Sequence, residues 1–207
     1  MMDEILLAGL ATLMAGLLGS IPFGLLLTRV AGLGDIREIG SGNIGATNVL
    51  RTGRKWLAAA TLLLDFGKGV LAVVLVTWLL GPGNAPLAAL AALAAVFGHC
   101  HPPWLGGKGG KGVATALGVF LGLGWGVFVA AAAAWIVGAA ASRISSVGAL
   151  AAMATGAVAG FMLLRMDAAV AVAIVAVYVA IRHEENIKRL LAGTEPRIGA
   201  AKSGTGK

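Results

Sequence analysis

Long uncharged apolar runs alternate along the chain with short polar segments. The first run, residues 5–28, contains 24 residues without a charged side chain. Because about 20 consecutive apolar residues span the hydrocarbon core as a helix, this run predicts a transmembrane helix, with a kink at Pro22. The pattern is typical of an all-α, multispanning membrane helix bundle, and we expect residues 1–207 to form a single integral membrane domain. The later runs predict membrane helices at residues 56–80, 86–103, 144–164 and 168–181.

Residues 112–142 form a further uncharged run of 31 residues, which is too long for one crossing. A single helix of that length would extend roughly 46 Å, whereas the hydrocarbon core is about 30 Å thick. The Gly-Leu-Gly-Trp-Gly sequence at residues 122–126 predicts a break, giving a short segment from Val113 and a longer helix at 125–141. We therefore expect about seven transmembrane helices, of which one or two are short or re-entrant.

The positions of the basic residues predict the orientation. With seven crossings, 14 of the 16 Lys and Arg residues fall on one side of the membrane, Lys68 lies within a helix, and Arg165 lies on the other side. The positive-inside rule then places the N-terminus outside and the C-terminus in the cytoplasm. The net charge of +7 could suggest a nucleic-acid partner, but the basic residues are scattered among apolar runs with few aromatics. We expect the lipid bilayer, and no nucleic acid, as partner.

The first polar segment, residues 40–51, reads GSGNIGATNVLR. Its glycines allow backbone amides to approach a ligand closely, and Arg51 is suited to bidentate binding of a phosphate. From these residues alone, a polar connector between two membrane helices is an equal alternative.

The second polar segment, residues 106–115, reads GGKGGKGVAT. Its glycines fit the spacing of a dinucleotide fingerprint, but no strand precedes them and no acidic residue follows at the usual distance. A Walker loop is also excluded, because Lys111 is followed by glycine. Exposed amides, two lysines and a helix beginning at Val113 still indicate an anion site that favours phosphate. The alternative is a flexible cytoplasmic loop whose two lysines only help to set the orientation of the chain in the membrane.

The third polar segment, residues 182–195, reads RHEENIKRLLAGTE. Its apolar residues recur at helical spacing, which predicts a short amphipathic helix on the cytoplasmic interface. His183 and Asn186 are three residues apart and could face one site, although a simple basic anchor is the alternative. Residues 197–207 consist mainly of Gly, Ala and Lys, and we expect this tail to be disordered.

Ionisable residues also occur within the predicted membrane helices. Asp65 and Lys68 lie on one helical face and could neutralise each other, so we favour structural support over a direct functional role. His99 and His101 have a spacing seen in metal ligands, but no cluster of Cys, Asp or Glu stands nearby to complete a site. We expect no metal and assign His99 to structural support. Cys100 is the only cysteine, so no intrachain disulfide can form.

The three segments resemble, in this order, the motifs of the bacterial acyl-phosphate-dependent glycerol-3-phosphate acyltransferases, which are integral membrane enzymes. The similarity extends from Ser20-Ile21-Pro22-Phe23-Gly24 through Asp65-Phe66-Gly67-Lys68-Gly69 to Glu195. One departure is Gly107, which stands where members of the family commonly have Phe.

The resemblance implies transfer of a fatty acyl group from acyl phosphate to the 1-hydroxyl of glycerol 3-phosphate, giving lysophosphatidic acid and phosphate. This is the first acylation of bacterial phospholipid synthesis. It further implies an active site on the cytoplasmic face of the bacterial inner membrane, no cofactor, and functional coupling to an enzyme that produces acyl phosphate.

By similarity, the catalytic residues would be Ser41, Arg51, His183 and Asn186. Substrate would be bound by Gly40, Gly42, Asn43, Thr47, Asn48, Lys108, Gly109, Gly110, Lys111 and Gly112. Structural support is expected from Asp65, Lys68, His99 and Glu195.

Two mechanisms of acyl transfer are compatible with these residues. Ser41 could form an acyl-enzyme, but the sequence places no sure base beside it, so we favour direct attack by glycerol 3-phosphate with His183 or a substrate phosphate oxygen accepting the proton.

Two other classes of protein are the alternatives to an enzyme. A transporter of a phosphorylated metabolite should show an internal repeat and more polar groups within the membrane. A purely structural membrane protein would not need its phosphate-binding residue types brought to one face.

Overall fold

The computed structural model describes residues 2–199, so most of the predicted disordered tail, residues 200–207, lies outside the described part. Within residues 2–199 the chain forms ten α-helices and no β-strand. Short 3-10 turns occur at Ile36–Glu38, Leu50–Thr52, Pro82–Asn84 and Pro103–Leu105. The helices are α1 (Met2–Gly19), α2 (Phe23–Val30), α3 (Ala46–Val49), α4 (Lys55–Leu80), α5 (Ala85–Cys100), α6 (Val113–Leu123), α7 (Trp125–Ser142), α8 (Ser145–Leu163), α9 (Met166–Ile181) and α10 (Glu184–Leu191).

Five segments of the described chain are long and apolar enough to cross a membrane: α1 with α2, α4, α5 with the turn that follows it, α7, and α8. Helix α9 passes the same test only together with α10, from which it is bent by 59°. Helix α6, with 11 residues, is a shorter apolar helix. The expected all-α multispanning bundle is thus confirmed. The seven crossings require α6 and α9 to cross as well, and that count and the orientation of the termini stay predictions.

The breaks between helices lie where the sequence predicts them. Helix α1 ends at Gly19 and α2 begins at Phe23, because Pro22 lacks the amide proton that would continue the helix. The uncharged run 112–142 is divided at Gly124, which separates α6 from α7.

The long helices pack through small residues that let their backbones come close together. A Cβ atom built on Gly98 of α5 would lie 2.1 Å from the carbonyl oxygen of Gly16 on α1. A Cβ atom built on Gly118 of α6 would lie 2.1 Å from the carbonyl oxygen of Phe66 on α4. Close approach of this kind is how membrane helices gain contact energy, since lipid offers them little hydrophobic driving force.

We expect Gly19→Ala to destabilise the bundle by about 1–3 kcal/mol, because overpacking forces the backbones apart. A Cβ atom there would lie 2.1 Å from the carbonyl oxygen of Ala95 and 2.7 Å from its Cα atom. Gly9→Ala in the same helix is the matched control, since a Cβ atom there meets nothing within 4 Å. Thermal unfolding in detergent should show a lower Tm for the first variant only. Equal Tm values would contradict this account of the α1–α5 contact.

A second, smaller apolar core lies beneath the first polar segment. It joins α2, the first polar segment and the start of α4, and a Cβ atom built on Gly24 of α2 would lie 1.9 Å from the carbonyl oxygen of Ile44. This core fixes the first polar segment on two helices. Its buried members are Leu25, Ile36, Ile44, Val49, Leu57 and Ala58.

Candidate active site

The first polar segment is organised around the amide side chain of Asn48, which is only 2% exposed. Asn48 Nδ2 donates to the carbonyl oxygens of Ile36 at 2.9 Å, Ile39 at 2.9 Å and Asn43 at 2.8 Å, and since it has two N–H groups, one of them is shared between two oxygens. Asn48 Oδ1 accepts from the Ser41 amide at 3.0 Å and from Ser41 Oγ at 3.3 Å. Both polar atoms of Asn48 therefore hold the segment in shape and position Ser41.

Arg51 lies against the glycine turn that contains Ser41. Gly40 and Gly42 have φ values of +59° and +70°, a left-handed conformation that favours glycine. A Cβ atom on Gly40 would lie 2.7 Å from Arg51 Cδ and 2.9 Å from Arg51 Nη1. Arg51 is exposed, and in the part of the chain that the structure describes no acidic side chain pairs with it. Its guanidinium is available to an anion beside Ser41.

The second polar segment is anchored on the end of α5. The amides of Gly109 and Gly110 donate to the carbonyl oxygens of Cys100 and His99, each at 3.1 Å. A Cβ atom on Gly109 would lie 2.2 Å from the His99 carbonyl oxygen, so a larger residue would lift the segment away. These two amides therefore donate to the protein itself. The first amides of α6 have no acceptor within their own helix, so they are the donors that remain for a ligand.

Lys111 connects the second segment to the third. Its Nζ donates to Asn186 Oδ1. Burial lowers the pKa of Lys111 to about 8, and the positive charges of Arg189, Arg182 and Arg51 act in the same direction. Lys111 thus joins the second and third segments by a direct hydrogen bond, and the charge of Arg51 in the first segment reaches it through space.

Glu195 fixes the orientation of Asn186. The Glu195 side chain is only 6% exposed. Its Oε1 accepts from Ser146 Oγ at 2.8 Å and from Asn186 Nδ2, and its Oε2 accepts from Arg189 Nε at 2.7 Å. Burial raises the pKa of Glu195, but these hydrogen bonds outweigh it and keep the pKa below the ordinary value. The charged carboxylate thus holds the Asn186 amide so that its oxygen faces Lys111.

One ring nitrogen of the buried His183 bonds to the backbone, and the other has no hydrogen-bond partner among residues 2–199. Its Nδ1 lies 2.8 Å from the carbonyl oxygen of Val179, and since a carbonyl only accepts, Nδ1 carries the proton. Burial lowers the pKa of His183, and the positive charges of Lys111 and Arg182 lower it further. At neutral pH His183 is therefore uncharged, and its Nε2 can accept a proton.

Other predicted residues take supporting positions. Thr47 Oγ1 lies 3.2 Å from Ser145 Oγ, which links the first segment to the start of α8. Asn43 Oδ1 accepts from the Gly45 amide at 2.9 Å, and Lys108 is exposed within the second segment.

The two histidines with metal-like spacing have different partners. His99 Nδ1 lies 3.6 Å from Asp65 Oδ1 inside the bundle, whereas His101 Nδ1 lies 2.7 Å from the Tyr178 hydroxyl. Among residues 2–199 neither belongs to a group of three or more His, Cys, Asp or Glu side chains that could hold a metal ion.

Some residues at the site were missed by sequence reasoning. Arg182 Nη2 donates to the Gly110 carbonyl oxygen at 3.2 Å, and its position next to His183 in the third segment was the available signal. Ser145 and Ser146 at the start of α8 carry no comparable signal, because serine is common at helix starts for local reasons.

Comparison with known proteins identifies the family of this chain. Residues 9–193 match the family model described as glycerol-3-phosphate acyltransferase. The chain is 57% identical over 192 residues to the glycerol-3-phosphate acyltransferase of Paramagnetospirillum magneticum, covering 93% of this chain and 94% of that protein. It is 53% identical over 194 residues to the protein of that name from Jannaschia sp., covering 94% of each.

Solved structures of one protein have the same fold. They are crystal structures of PlsY, an integral membrane glycerol 3-phosphate acyltransferase. Its glycerol 3-phosphate form has 34% identity and a TM-score of 0.87, covering 93% of this chain and 96% of that chain. Its lysophosphatidic acid form has 33% identity and a TM-score of 0.86, covering 93% and 95%. The chain therefore belongs to the glycerol-3-phosphate acyltransferase family.

Proposed function

We propose that this acyltransferase takes its acyl group from acyl phosphate and delivers it to the 1-hydroxyl of glycerol 3-phosphate, giving lysophosphatidic acid and phosphate. The observation that carries the proposal is that Arg51, which pairs with no acidic side chain among residues 2–199, lies near enough to Lys111 for its charge to lower the pKa of that lysine. Two phosphate-bearing substrates need two sets of positive groups, and the polar segments supply them. The PlsY forms with glycerol 3-phosphate and lysophosphatidic acid support the acceptor and the product.

Each substrate phosphate has its own set of ligands. In this proposal Lys108, Lys111 and the start of α6 bind the phosphate of glycerol 3-phosphate, since a helix N-terminus favours an anion. Arg51, beside Ser41 and Gly40, binds the phosphate of the acyl donor through its planar fork of N–H groups. The positive charge that these groups supply also stabilises the leaving phosphate and the tetrahedral intermediate.

The reaction proceeds by direct attack of the glycerol 3-phosphate hydroxyl on the acyl carbonyl carbon. A new C–O ester bond forms, and the bond between the acyl carbon and the phosphate oxygen breaks. His183 Nε2 or a substrate phosphate oxygen accepts the hydroxyl proton. Ser41 Oγ has an amide oxygen of Asn48, which is not a base, as its hydrogen-bond partner, and this favours a positioning hydroxyl over an acyl-enzyme nucleophile.

The bacterial relatives and the membrane helices support a bacterial membrane enzyme. We place the active site on the cytoplasmic face of the inner membrane, where the basic residues concentrate. An enzyme producing acyl phosphate on that side would then be its functional partner.

The donor is tested with purified protein, glycerol 3-phosphate and either acyl phosphate or the matching acyl-CoA. Lysophosphatidic acid and released phosphate should appear in equal amounts from acyl phosphate, with negligible product from acyl-CoA. Equal or faster turnover with acyl-CoA would refute the donor assignment. Rapid-quench mass spectrometry tests the mechanism separately, because an acyl group trapped on Ser41 would refute direct attack.

The pKa of Lys111 predicts a pH dependence. Since that pKa is about 8, Lys111 loses its charge above pH 8, while the phosphate of glycerol 3-phosphate, with a second pKa of about 6, stays fully charged. We expect the KM for glycerol 3-phosphate to rise above pH 8 and approach a tenfold increase per pH unit. Lys111→Arg, which stays charged, should remove this rise. A KM that is flat between pH 7 and 9.5 would show that Lys111 does not bind the substrate as a cation.

A further inference from the structure

Three ionisable side chains form a buried ionic cluster within the helix bundle: Asp65 and Lys68 on α4 and His99 on α5. Asp65 and Lys68 are each 2% exposed, and His99 is 4% exposed. Lys68 Nζ lies 2.6 Å from Asp65 Oδ1, and His99 Nδ1 lies 3.6 Å from the same oxygen. The cluster makes no direct contact with a substrate in the proposed mechanism.

One arm of the cluster reaches the support of the first polar segment. Lys68 Nζ donates to the Ile21 carbonyl oxygen at 2.8 Å, at the break between α1 and α2, and lies 5.5 Å from the centroid of the Phe23 ring. Helix α2 then packs its Gly24 directly under the backbone of Ile44. Lys68 thus fixes the end of the helix on which the first segment rests.

The other arm reaches the second polar segment. The imidazole of His99 lies so close to Gly110 that a Cβ atom on this glycine would be 2.0 Å from His99 Nε2 and 2.8 Å from its Cε1. The His99 carbonyl oxygen also accepts from the Gly110 amide at 3.1 Å. One edge of the His99 ring thus faces Asp65, and the opposite edge packs against Gly110 of the second polar segment.

Packing alone does not account for these charges. Replacing a buried ion pair by apolar residues of similar size is often neutral or stabilising, and charged side chains inside a membrane are costly. What the cluster adds is a connection between the two polar segments, since one end holds α2 and the other contacts Gly110. A displacement of about 1 Å can lower a rate a hundredfold, so a fixed separation between the two bound phosphates preserves the rate of transfer.

We propose that Asp65, Lys68 and His99 are positioning residues that set the distance between the first and second polar segments, and hence between the acyl donor and the acceptor. The inference rests on the proposed function, because it assigns one substrate to each segment. Each segment keeps its own phosphate ligands when the cluster is removed. Loss of the cluster should therefore lower kcat and leave both KM values nearly unchanged.

The main test is the double variant Asp65→Leu/Lys68→Met, which removes both charges together and leaves neither unpaired. We expect its Tm to stay within a few degrees of the wild-type value, its kcat to fall about 30- to 100-fold, and each KM to change less than about threefold. Thr77→Val is the matched control, because it removes a hydroxyl that, among residues 2–199, bonds only to the Val73 carbonyl oxygen of its own helix α4. Its kcat and Tm should equal those of the wild type.

His99→Gln keeps a polar group beside Asp65 but removes the ring behind Gly110, so it tests the second arm even if the double variant fails to fold. We expect a reduced kcat at an unchanged Tm. Wild-type kcat in the double variant or in His99→Gln would overturn the inference, as would a loss of rate that only follows a loss of folded protein. No turnover by the wild-type protein would instead refute the proposed function, so the two failures are distinguishable.

Discussion

Asn48→Ala is expected to lower kcat by about 100-fold or more and to destabilise the first polar segment. The carbonyl oxygens of Ile36 and Ile39 each keep a backbone donor, but the substitution removes the donor to the Asn43 carbonyl oxygen and the acceptor of the Ser41 amide and hydroxyl. An unsatisfied buried polar group costs about 1–3 kcal/mol, so the segment should relax and carry Ser41 away from its position.

The measurement combines initial rates of lysophosphatidic acid formation with thermal unfolding. Asn84→Ala is the matched control, since Asn84 lies in the turn between α4 and α5 that the predicted topology places on the opposite side of the membrane. It should turn over like the wild type. A near-normal rate for Asn48→Ala would mean that Asn48 does not organise the segment.

Arg51→Ala is expected to lower kcat/KM by about 100- to 1,000-fold, the range found when a group that stabilises transition-state charge is removed. Its Tm should not change, because Arg51 is exposed and pairs with no acidic side chain between residues 2 and 199. Arg51→Lys keeps the charge but loses the bidentate geometry, and its kcat/KM should lie between those of the wild type and Arg51→Ala.

The control for Arg51 is Arg54→Ala, which removes an exposed arginine three residues along the same connection. Its rate should lie within about twofold of wild type, as expected for a surface residue outside the site. If the two alanine variants behave alike, Arg51 contributes only to the general positive charge of this face.

The helices of this fold could be predicted because apolar length and breaking residues determine them. Pro22 and Gly124 mark breaks that the structure has at those places. The small core under the first polar segment could not be predicted, because Ile36, Ile44 and Leu57 show no periodicity that would distinguish them from neighbouring apolar residues.

The three polar segments could be identified from the sequence, but the contacts of their side chains could not. A sequence shows that Asn48 is polar within a glycine-rich segment, but not whether its amide faces a ligand or the backbone, where the structure places it. The amides of Gly109 and Gly110, expected to be exposed, instead hold the segment on α5. The contact from Ser146 to Glu195 joins residues 49 positions apart, a pairing that spacing within one segment cannot reveal.

The most direct test of the proposed function compares the wild-type protein with Ser41→Ala, using acyl phosphate and glycerol 3-phosphate and measuring the initial rate of lysophosphatidic acid formation. Ser41→Ala keeps the backbone amide that donates to Asn48, so its Tm should match the wild type. We predict rapid turnover by the wild type and a loss of about 100-fold or more in the variant. Full turnover by Ser41→Ala, or no turnover by the wild type, would contradict this prediction.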